Sequence, residues 1–324
     1  MIDRRRFLGA GLAAVVLPLA APSLAAARPR RGRPFTFVAM GCMPYGEGDL
    51  AKLDRLFAAT ARERPAFAFH LGDMKASRDP CDDGVYETIR DRFARAPFPL
   101  VYTPGDNDWT DCNRVGRDPH ERLAFLRRTF YAEPGRSFGR RGLRVTPQSS
   151  ATGGGFPENV RFEHGGLVFA TLHVVGSNNN RVPAEPARVA EFEARDAANL
   201  AWLDAAFDHA VRIEAPALVL AWQADPFKEE VKDAPSGFAA LLQRLRDRAA
   251  AFARPVLVVH ADRHTLLLRR WREVVDRDER DVPFLNFLQV MGSEDVHAVR
   301  VDVYPRDPAV FGFRPLVVPD NGPY

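Results

Sequence analysis

The alternation of hydrophobic runs with amphipathic segments predicts an α/β fold. A run of apolar and β-branched residues at 35–40 stops at Gly41, and a helical pattern follows at 50–64. This unit recurs along the chain. Further strands are predicted at 67–71, 98–103, 167–175, 217–222, 256–260, 285–291 and 297–304, and further helices at 85–96, 119–131, 189–210 and 238–252. Strands that alternate with helices imply largely parallel, buried sheets, and two sheets with helices outside accommodate this order.

The first 27 residues are set apart from the fold because they have the composition of an export signal. Three arginines at 4–6 precede a short apolar run, and small residues follow at 25–27. This order is typical of a twin-arginine signal peptide, which the Tat export machinery recognises. The apolar run at 8–19 is interrupted by glycine and proline and is shorter than the roughly 20 residues that span a bilayer. We expect a periplasmic or secreted protein without stable membrane insertion, with retention by an uncleaved segment as the alternative.

The distribution of charge excludes one class of partner. The formal net charge is +3, but the leader and the basic linker at 28–34 carry the positive excess, and the remainder from Phe35 onward is negative. That remainder has no basic segment interleaved with aromatic residues, so no nucleic-acid partner is expected. With 46% hydrophobic residues, the segment 35–324 is long enough to bury a large core and is interpreted as one domain.

Polar residues follow six of the predicted strands directly. Ligands of a parallel sheet bind just beyond the carboxyl ends of its strands, so these residues are candidates for chemistry. They lie at 41–45, 72–73, 104–109, 176–179, 223–225 and 261–264. A convergent cluster of carboxylates is electrostatically costly unless a cation lies among them, so the pattern predicts a metal site.

In their order, spacing and strand context, these segments resemble the calcineurin-like metallophosphoesterases. That family has the pattern D-x-H, G-D-x-x-D, G-N-H-[D/E], a lone H, and G-H-x-H. Here Gly72-Asp73 corresponds to the second motif, 105–108 to the third, Gln223 to the fourth and 261–264 to the fifth. The resemblance covers most of the chain from Phe35 on. It implies a four-layer αββα sandwich in which two mixed sheets are flanked by helices.

Several positions of the resemblance carry a different residue type. Cys42 and Pro44 stand at the Asp and His of the first motif, Asp106 and Asn107 at the Asn and His of the third, and Gln223 and Asp262 at two further histidines. A bacterial branch of the family is similar at most of these places, with G-D-x-P-Y, G-D-N-E-W and H-G-D-x-H. Cys42 is then a departure of this chain.

The resemblance implies a ligand set for one or two divalent metal ions. The set comprises Asp73, Asp106, Gln223, Asp262, His264 and, as a free thiolate, Cys42. Oxygen donors dominate it, which favours Mg²⁺, Mn²⁺ or Ca²⁺ over zinc, with one well-formed ion and a second, weaker position. The implied reaction is hydrolysis of a phosphomonoester or phosphodiester by a metal-bound hydroxide. The implied catalytic residues are Asn107 and His264, and the candidates for binding a small phosphorylated substrate are Lys75, Asn107 and Asn178.

Two alternatives stay open. Because several histidines of the family pattern are missing, the chain is also consistent with a degenerate member that keeps the fold and binds a ligand or partner without turnover. Cys81 and Cys112 follow Asp73 and Asp106 on loops that neighbouring strands would bring together, so a disulfide at the rim of the site is expected in an oxidising compartment. A structural zinc site is the competing interpretation for the cysteines.

Overall fold

The computed structural model of the chain describes residues 32–151, 155–227, 235–271 and 282–322. One of its two sheets consists of β1 (Phe35–Met40), β2 (Phe67–His70), β3 (Leu100–Tyr102), β11 (Ala298–Val303) and β12 (Phe311–Leu316). The order across this first sheet is β12-β11-β1-β2-β3. β1, β2 and β3 are parallel, with Phe37 opposite Phe67 and Met40 opposite His70. β11 and β12 extend the sheet in antiparallel pairing.

The second sheet has seven strands. They are β4 (Thr146–Pro147), β5 (Val160–His164), β6 (Leu167–Thr171), β7 (Leu218–Ala221), β8 (Val256–His260), β9 (Leu267–Arg270) and β10 (Leu285–Gln289). Their order is β4-β5-β6-β7-β8-β10-β9. The central strands β6, β7, β8 and β10 are parallel, and the strands at both edges pair antiparallel. The carboxyl ends of the central strands therefore meet at one edge of the sheet.

Helices cover the outer faces of both sheets. They are α1 (Gly48–Arg62), α2 (Asp83–Arg95), α3 (Pro119–Phe130), α6 (Pro186–Arg212) and α7 (Ala239–Phe252), with single turns α4 (Gln148–Ala151) and α5 (Gly176–Asn179). α1 buries Leu53, Leu56 and Phe57 at the spacing of one helix face. Asp118 caps the N-terminus of α3, and its carboxylate accepts a hydrogen bond from the backbone N–H of His120.

Three apolar cores separate four layers. Leu56 and Phe93 belong to the core between the first sheet and its helices. Phe67 and Phe169 meet in the core between the two sheets, with ring centroids 4.9 Å apart. Trp202 lies in the core between the second sheet and α6 and α7. This arrangement confirms the expected αββα sandwich of two mixed sheets flanked by helices.

Four of the described strands were not predicted from the hydrophobic pattern: β4, β5, β9 and β12. All four pair antiparallel, and β4, β9 and β12 lie at sheet edges. The side chains of β9 and β12 are half-buried or exposed along their whole length. Edge strands need no continuous apolar run, because at least one face remains in contact with solvent.

The predicted signal peptide and residues 28–31 of the linker lie outside the described residues. Export therefore stays a prediction. In the part of the chain that the structure describes, no helix is long and apolar enough to cross a membrane.

Candidate functional site

A cavity of about 420 Å³ opens where the carboxyl ends of the two sheets meet. β2 and β3 of the first sheet lead into the loops that carry Asp73 and Asp106. β8 of the second sheet leads into the loop that carries Asp262 and His264. These four side chains line the cavity together with Asn107. The structure thus brings together residues that lie up to 191 positions apart in the chain.

Non-glycine residues with a left-handed backbone are concentrated at these strand ends. The φ angle is +53° at Cys42, +54° at Asp73, +78° at Asp262 and +58° at His264. Such conformations cost roughly 1–3 kcal/mol each and cluster at functional sites. Gly105 adds a steric requirement, because a Cβ atom at this position would lie 2.1 Å from Oδ1 of Asp73. Strained backbone conformations and the close contact of Gly105 with Asp73 therefore hold these side chains at the cavity.

Asp73 and Asp106 share one hydrogen-bond donor, the side-chain amide of Gln223. Its Nε2 lies 3.0 Å from Oδ2 of Asp73 and 3.0 Å from Oδ1 of Asp106. Its Oε1 accepts a 2.7 Å bond from the backbone N–H of Gly176, which fixes the orientation of the amide. The resemblance implies an oxygen ligand at Gln223, whereas the structure turns the nitrogen toward the carboxylates. Two acidic groups are thereby bridged by a neutral donor.

Cys42 is fully buried and contacts Asp73 and Asp262. Its Sγ lies 3.4 Å from Oδ2 of Asp73, to which it donates, and it accepts a bond from the backbone N–H of Asp262. Burial raises the pKa of this thiol well above its ordinary value, and the charges of Asp73 and Asp262 raise it further. A thiolate would stand beside two carboxylates with little solvent, so the protonated form is favoured.

Asn107, Tyr45 and His264 form a chain of hydrogen bonds along one wall of the cavity. Nδ2 of Asn107 donates to the phenol oxygen of Tyr45 at 3.1 Å, and that oxygen lies 3.2 Å from Nε2 of His264. An amide nitrogen only donates, so the phenol proton is available for Nε2. Burial raises the pKa of Tyr45, and the nearby acidic groups raise it further, which keeps the phenol protonated. The Tyr45 hydroxyl donates to Nε2 in the tautomer of His264 that leaves this nitrogen unprotonated.

Asp108 is buried behind the cavity and joins the loops after β2 and β3. Its carboxylate accepts backbone N–H bonds from Asp73, Met74 and Gly105 at 2.7–3.0 Å, and a 2.8 Å bond from the Tyr102 hydroxyl. This carboxylate fixes the backbone of Asp73 without lining the cavity. Its role is to position the loops.

The loop after β6 closes another side of the cavity. Residues 177–180 all have positive φ, between +52° and +62°. The Ser177 hydroxyl donates to Oδ2 of Asp106 at 2.8 Å. The Asn178 side chain, a predicted substrate-binding group, instead ties its loop to a neighbouring one, since its Oδ1 accepts a 2.7 Å bond from the Gly237 backbone N–H. Asn178 lines the cavity, but its amide is already engaged with backbone groups.

A disulfide joins Cys81 to Cys112, with a Cα–Cα distance of 5.8 Å. It links the loop after β2 to the 3₁₀ turn Thr110–Val115 that follows β3. The expected pairing at the rim is present and replaces the zinc interpretation. Cys42 is the remaining free cysteine.

Lys75, a predicted phosphate-binding residue, does not reach the cavity. It is 1% exposed, and its Nζ donates to the backbone carbonyls of Ala76 and Asp79 at 3.0 and 3.2 Å. It lines a separate cavity beside Pro44 and Met74. Burial lowers the pKa of Lys75, while nearby acidic groups raise it. The turn that follows Lys75 captures the ammonium group through its carbonyls.

The donor chemistry around the cavity fits a hard cation. The carboxylates of Asp73, Asp106 and Asp262 face one space together with His264, and carboxylate oxygens are preferred ligands of Mg²⁺, Mn²⁺ and Ca²⁺. Burial raises the pKa of Asp73, and the charges of neighbouring aspartates raise it further, so a cation would relieve a real repulsion. Within the described ranges, however, no three His, Cys, Asp or Glu side chains already have metal-site spacing. A cation would have to compete with the amide of Gln223.

Tyr45, Asp111, Arg114 and Ser177 line the cavity, although the sequence analysis assigned none of them an individual role. Tyr45 and Ser177 lie in segments that directly follow strands, so their position was already a signal. Asp111 and Arg114 lie farther along, in the 3₁₀ turn that the disulfide fixes. That turn reaches the cavity only in the folded protein, so its position in the sequence gives no signal.

The sequence matches no protein-family model and no curated protein. Among solved structures, the chain is similar to GAP50, described as the anchor in the inner membrane complex of Plasmodium, with 11% identity and a TM-score of 0.48 over 88% of this chain and 89% of that one. It is similar to a dimetal phosphatase from Danio rerio, with 12% identity and a TM-score of 0.49 over 87% and 99%. It is also similar to TT1561 of Thermus thermophilus, with 13% identity and a TM-score of 0.42 over 87% and 98%. At these values the likenesses establish no shared chemistry.

Proposed function

We propose that the protein is an exported, metal-dependent hydrolase of phosphomonoesters or phosphodiesters. The observation that carries this proposal is the convergence of Asp73, Asp106 and Asp262 with His264 on one cavity, from strand ends of both sheets. Strained backbone at three of these four residues supports a functional rather than a purely structural cluster. The motif order of the metallophosphoesterase resemblance supports phosphoester chemistry.

Asp73, Asp106, Asp262 and His264 would hold the cation. When bound, a divalent ion would offset the charge of the carboxylates and polarise the phosphoryl oxygens of a substrate. Cys42 and Gln223, in contrast, act as hydrogen-bond donors to Asp73. The residues of the site therefore divide into those that would offer oxygen or nitrogen to an ion and those that donate hydrogen bonds to the carboxylates.

The remaining polar groups set which leaving groups the site can release. Asn107 cannot donate a proton in catalysis, and its amide is engaged with the Tyr45 phenol. The Tyr45 hydroxyl is directed to His264 and keeps its proton because its pKa is raised by burial and by neighbouring acidic groups. We therefore expect activity toward esters whose leaving groups need little protonation, such as 4-nitrophenolate.

A second candidate function is binding of a ligand without turnover. It is favoured by the hydrogen bonds that already satisfy the paired carboxylates. Asp73 accepts bonds from Gln223, Cys42 and the backbone N–H of Asn107, and Asp106 accepts bonds from Gln223 and Ser177. Each carboxylate oxygen of Asp73 and Asp106 thus has a hydrogen-bond donor from the protein itself.

Metal titration and an activity assay separate the two candidates. Chelator-treated protein is titrated with Mg²⁺, Mn²⁺, Ca²⁺ or Zn²⁺ by calorimetry, and each sample is assayed with 4-nitrophenyl phosphate and bis(4-nitrophenyl) phosphate. The hydrolase proposal expects binding of at least one ion and turnover that depends on it. Asp73→Asn should reduce kcat/KM roughly 1000-fold, since electrostatic stabilisation by a metal contributes several kcal/mol.

The matched control is Asp91→Asn, because Asp91 is half exposed and pairs with Arg90 away from the cavity. This variant should keep the activity of the original protein. Ion binding without turnover would support the second candidate, and neither binding nor turnover with any of the four ions would overturn the hydrolase proposal.

A further inference from the structure

The cavity extends beyond the carboxylate cluster to a rim that carries a guanidinium group. Arg114 lies on the 3₁₀ turn Thr110–Val115 and lines the cavity with its side chain 43% exposed. Among the described residues that line the cavity, it is the single arginine or lysine, beside five aspartates. An anionic group that enters this cavity therefore meets one permanently cationic side chain.

The other basic residues near the cavity are committed elsewhere. Arg263 and Arg269 both pair with Asp225, at 2.6 and 3.2 Å. Lys75 donates to backbone carbonyls in a separate cavity. Arg114 pairs with Asp111 at 2.9 Å but keeps much of its surface toward solvent. A guanidinium has five N–H donors, so one carboxylate contact leaves donors for a ligand.

A chain of polar contacts connects Arg114 to the carboxylate cluster. Asp111 lies between Arg114 and the Ser177 hydroxyl, which is 3.4 Å from its Oδ1. The same hydroxyl donates to Asp106. Arg114 is therefore two side chains away from Asp106, at the outer end of the same cavity. A group bound there belongs to a part of the substrate other than the phosphate held at the cluster.

The turn that carries Arg114 is anchored rigidly to the cluster. The backbone N–H of Asp111 and the hydroxyl of Thr110 both donate to the backbone carbonyl of Asp106, each at 3.0 Å. Cys112 in the same turn is fully buried and forms the disulfide to Cys81. A fixed distance between two binding groups gives selectivity for ligand length and charge.

We propose that Arg114 is a substrate-binding residue that recognises a second oxyanion, so that the preferred substrate is a phosphoester whose organic part carries a carboxylate or a second phosphate. This inference rests on the proposed hydrolase function, because the cation at the carboxylate cluster supplies the first phosphate position. The second oxyanion receives charge-assisted hydrogen bonds from the guanidinium.

Calorimetry with paired probes tests the inference on protein already shown to bind a divalent ion. The probes are glycerol 3-phosphate, which has a neutral tail, 3-phosphoglycerate, in which the tail is a carboxylate, and propane-1,3-diol bisphosphate. The original protein should bind one or both of the probes with an anionic tail about 10-fold more tightly than glycerol 3-phosphate, and the tighter one identifies the source of the oxyanion. Arg114→Ala should abolish that preference and leave ion binding unchanged.

Arg117→Ala is the matched control, because Arg117 is half exposed, pairs with Asp82 and does not line the cavity. It should retain the preference. Asp111→Asn should strengthen binding of the anionic-tail probe several-fold, since Arg114 no longer shares its charge. The double variant Asp111→Asn with Arg114→Ala should again lack the preference.

The outcomes distinguish this inference from the proposed function. If no divalent ion binds, the hydrolase proposal has failed before the probes are used. If the ion binds but all three probes bind equally, or if the double variant regains the preference, Arg114 does not contact the second oxyanion and the inference is overturned.

Discussion

Two buried carboxylates on neighbouring loops, Asp108 and Asp73, are held in opposite ways. Asp108 accepts three backbone N–H bonds and one tyrosine hydroxyl, and it has no contact with the cavity. Asp73 accepts one backbone N–H bond, and its other donors are the side chains of Gln223 and Cys42. The backbone donors of Asp108 cannot turn away, whereas side-chain donors can be displaced by a ligand. Backbone donors therefore mark Asp108 as a carboxylate that positions loops, and side-chain donors mark Asp73 as one that can bind a ligand.

The electrostatic surroundings sharpen this difference. Burial raises the pKa of both groups. At Asp108, the hydrogen bonds and the charge of Lys75 oppose that rise. At Asp73, the charges of Asp106, Asp108 and Asp262 add to it. The fold therefore offsets the burial of Asp108 more than that of Asp73, although the pKa of both groups is raised.

The largest expected effect is on stability, and it should separate the two carboxylates. Asp108→Asn should lower the free energy of unfolding by about 3 kcal/mol, because an amide nitrogen would face N–H donors and leave buried groups unpaired. Asp73→Asn should change it by less than about 1 kcal/mol, since the lost bonds are offset by relief of repulsion. Urea denaturation of chelator-treated protein measures both values, and equal losses would contradict the distinction.

A second expected effect is that the free energy of unfolding falls as pH rises, because the pKa of Asp73 is raised in the folded protein. The folded protein holds the Asp73 proton more tightly than the unfolded chain does. Its contribution to stability is full below the ordinary aspartate pKa and is lost as pH rises through the raised one. In that window the unfolding free energy of metal-free protein should fall by up to about 1.4 kcal/mol per pH unit for this proton. Asp73→Asn should flatten the slope in a pH series of urea denaturations.

Glu158 provides an internal reference for the pH series. Burial raises its pKa, but the charge of Arg127 and the hydrogen bond with His173 outweigh this and lower the pKa to about 2. Its contribution is present above its ordinary value and is lost as pH falls toward 2, which is the opposite sign in a lower window. A slope at higher pH that is unchanged in Asp73→Asn would show that Asp73 does not carry the repulsion.

The smallest expected effect concerns a displaceable donor of Asp73. Cys42→Asp removes the thiol donor and adds a buried carboxylate next to Asp73. Calorimetry should show divalent-ion affinity about 10-fold higher, at a cost in metal-free stability of about 1–2 kcal/mol. Cys42→Ser, which keeps a donor and adds no charge, should leave ion affinity close to that of the original protein. Equal affinities in all three proteins would place Cys42 outside the ion's reach.

The sequence is sufficient for most of the fold because the central strands are continuous apolar runs. β1, β2, β7, β8 and β10 are largely buried, and each was predicted within a few residues. β9 and β12 have exposed arginines among apolar residues, so neither a run nor a clean alternation marks them. Pairing partners at sheet edges are determined by the fold rather than by the local pattern.

In the site, too, the local sequence predicts some features, whereas tertiary contacts determine the others. The strand ends predicted a polar cluster because the strand ends of parallel sheets meet. The family resemblance then selected Asp73, Asp106, Asp262 and His264 within it. The orientation of the Gln223 amide was not predictable, because a contact with Gly176 decides it. Charge alone suggested Lys75 as a phosphate-binding group, whereas nearby carbonyls bind its ammonium group.

The aromatic core between the sheets has a thermodynamic consequence. Asp106 lies on the loop after β3 of the first sheet and Asp262 on the loop after β8 of the second, and the core that contains Phe67 and Phe169 packs the two sheets together. Any ligand that contacts both aspartates spans the boundary between the two sheets, so it binds only when the sheets are packed together. By mass action, such a ligand at a concentration of about 100 times its Kd would raise the free energy of unfolding by about 2.7 kcal/mol. The melting temperature would then rise with ligand concentration. This rise would report both the binding of the ligand and the packing of the two sheets against each other.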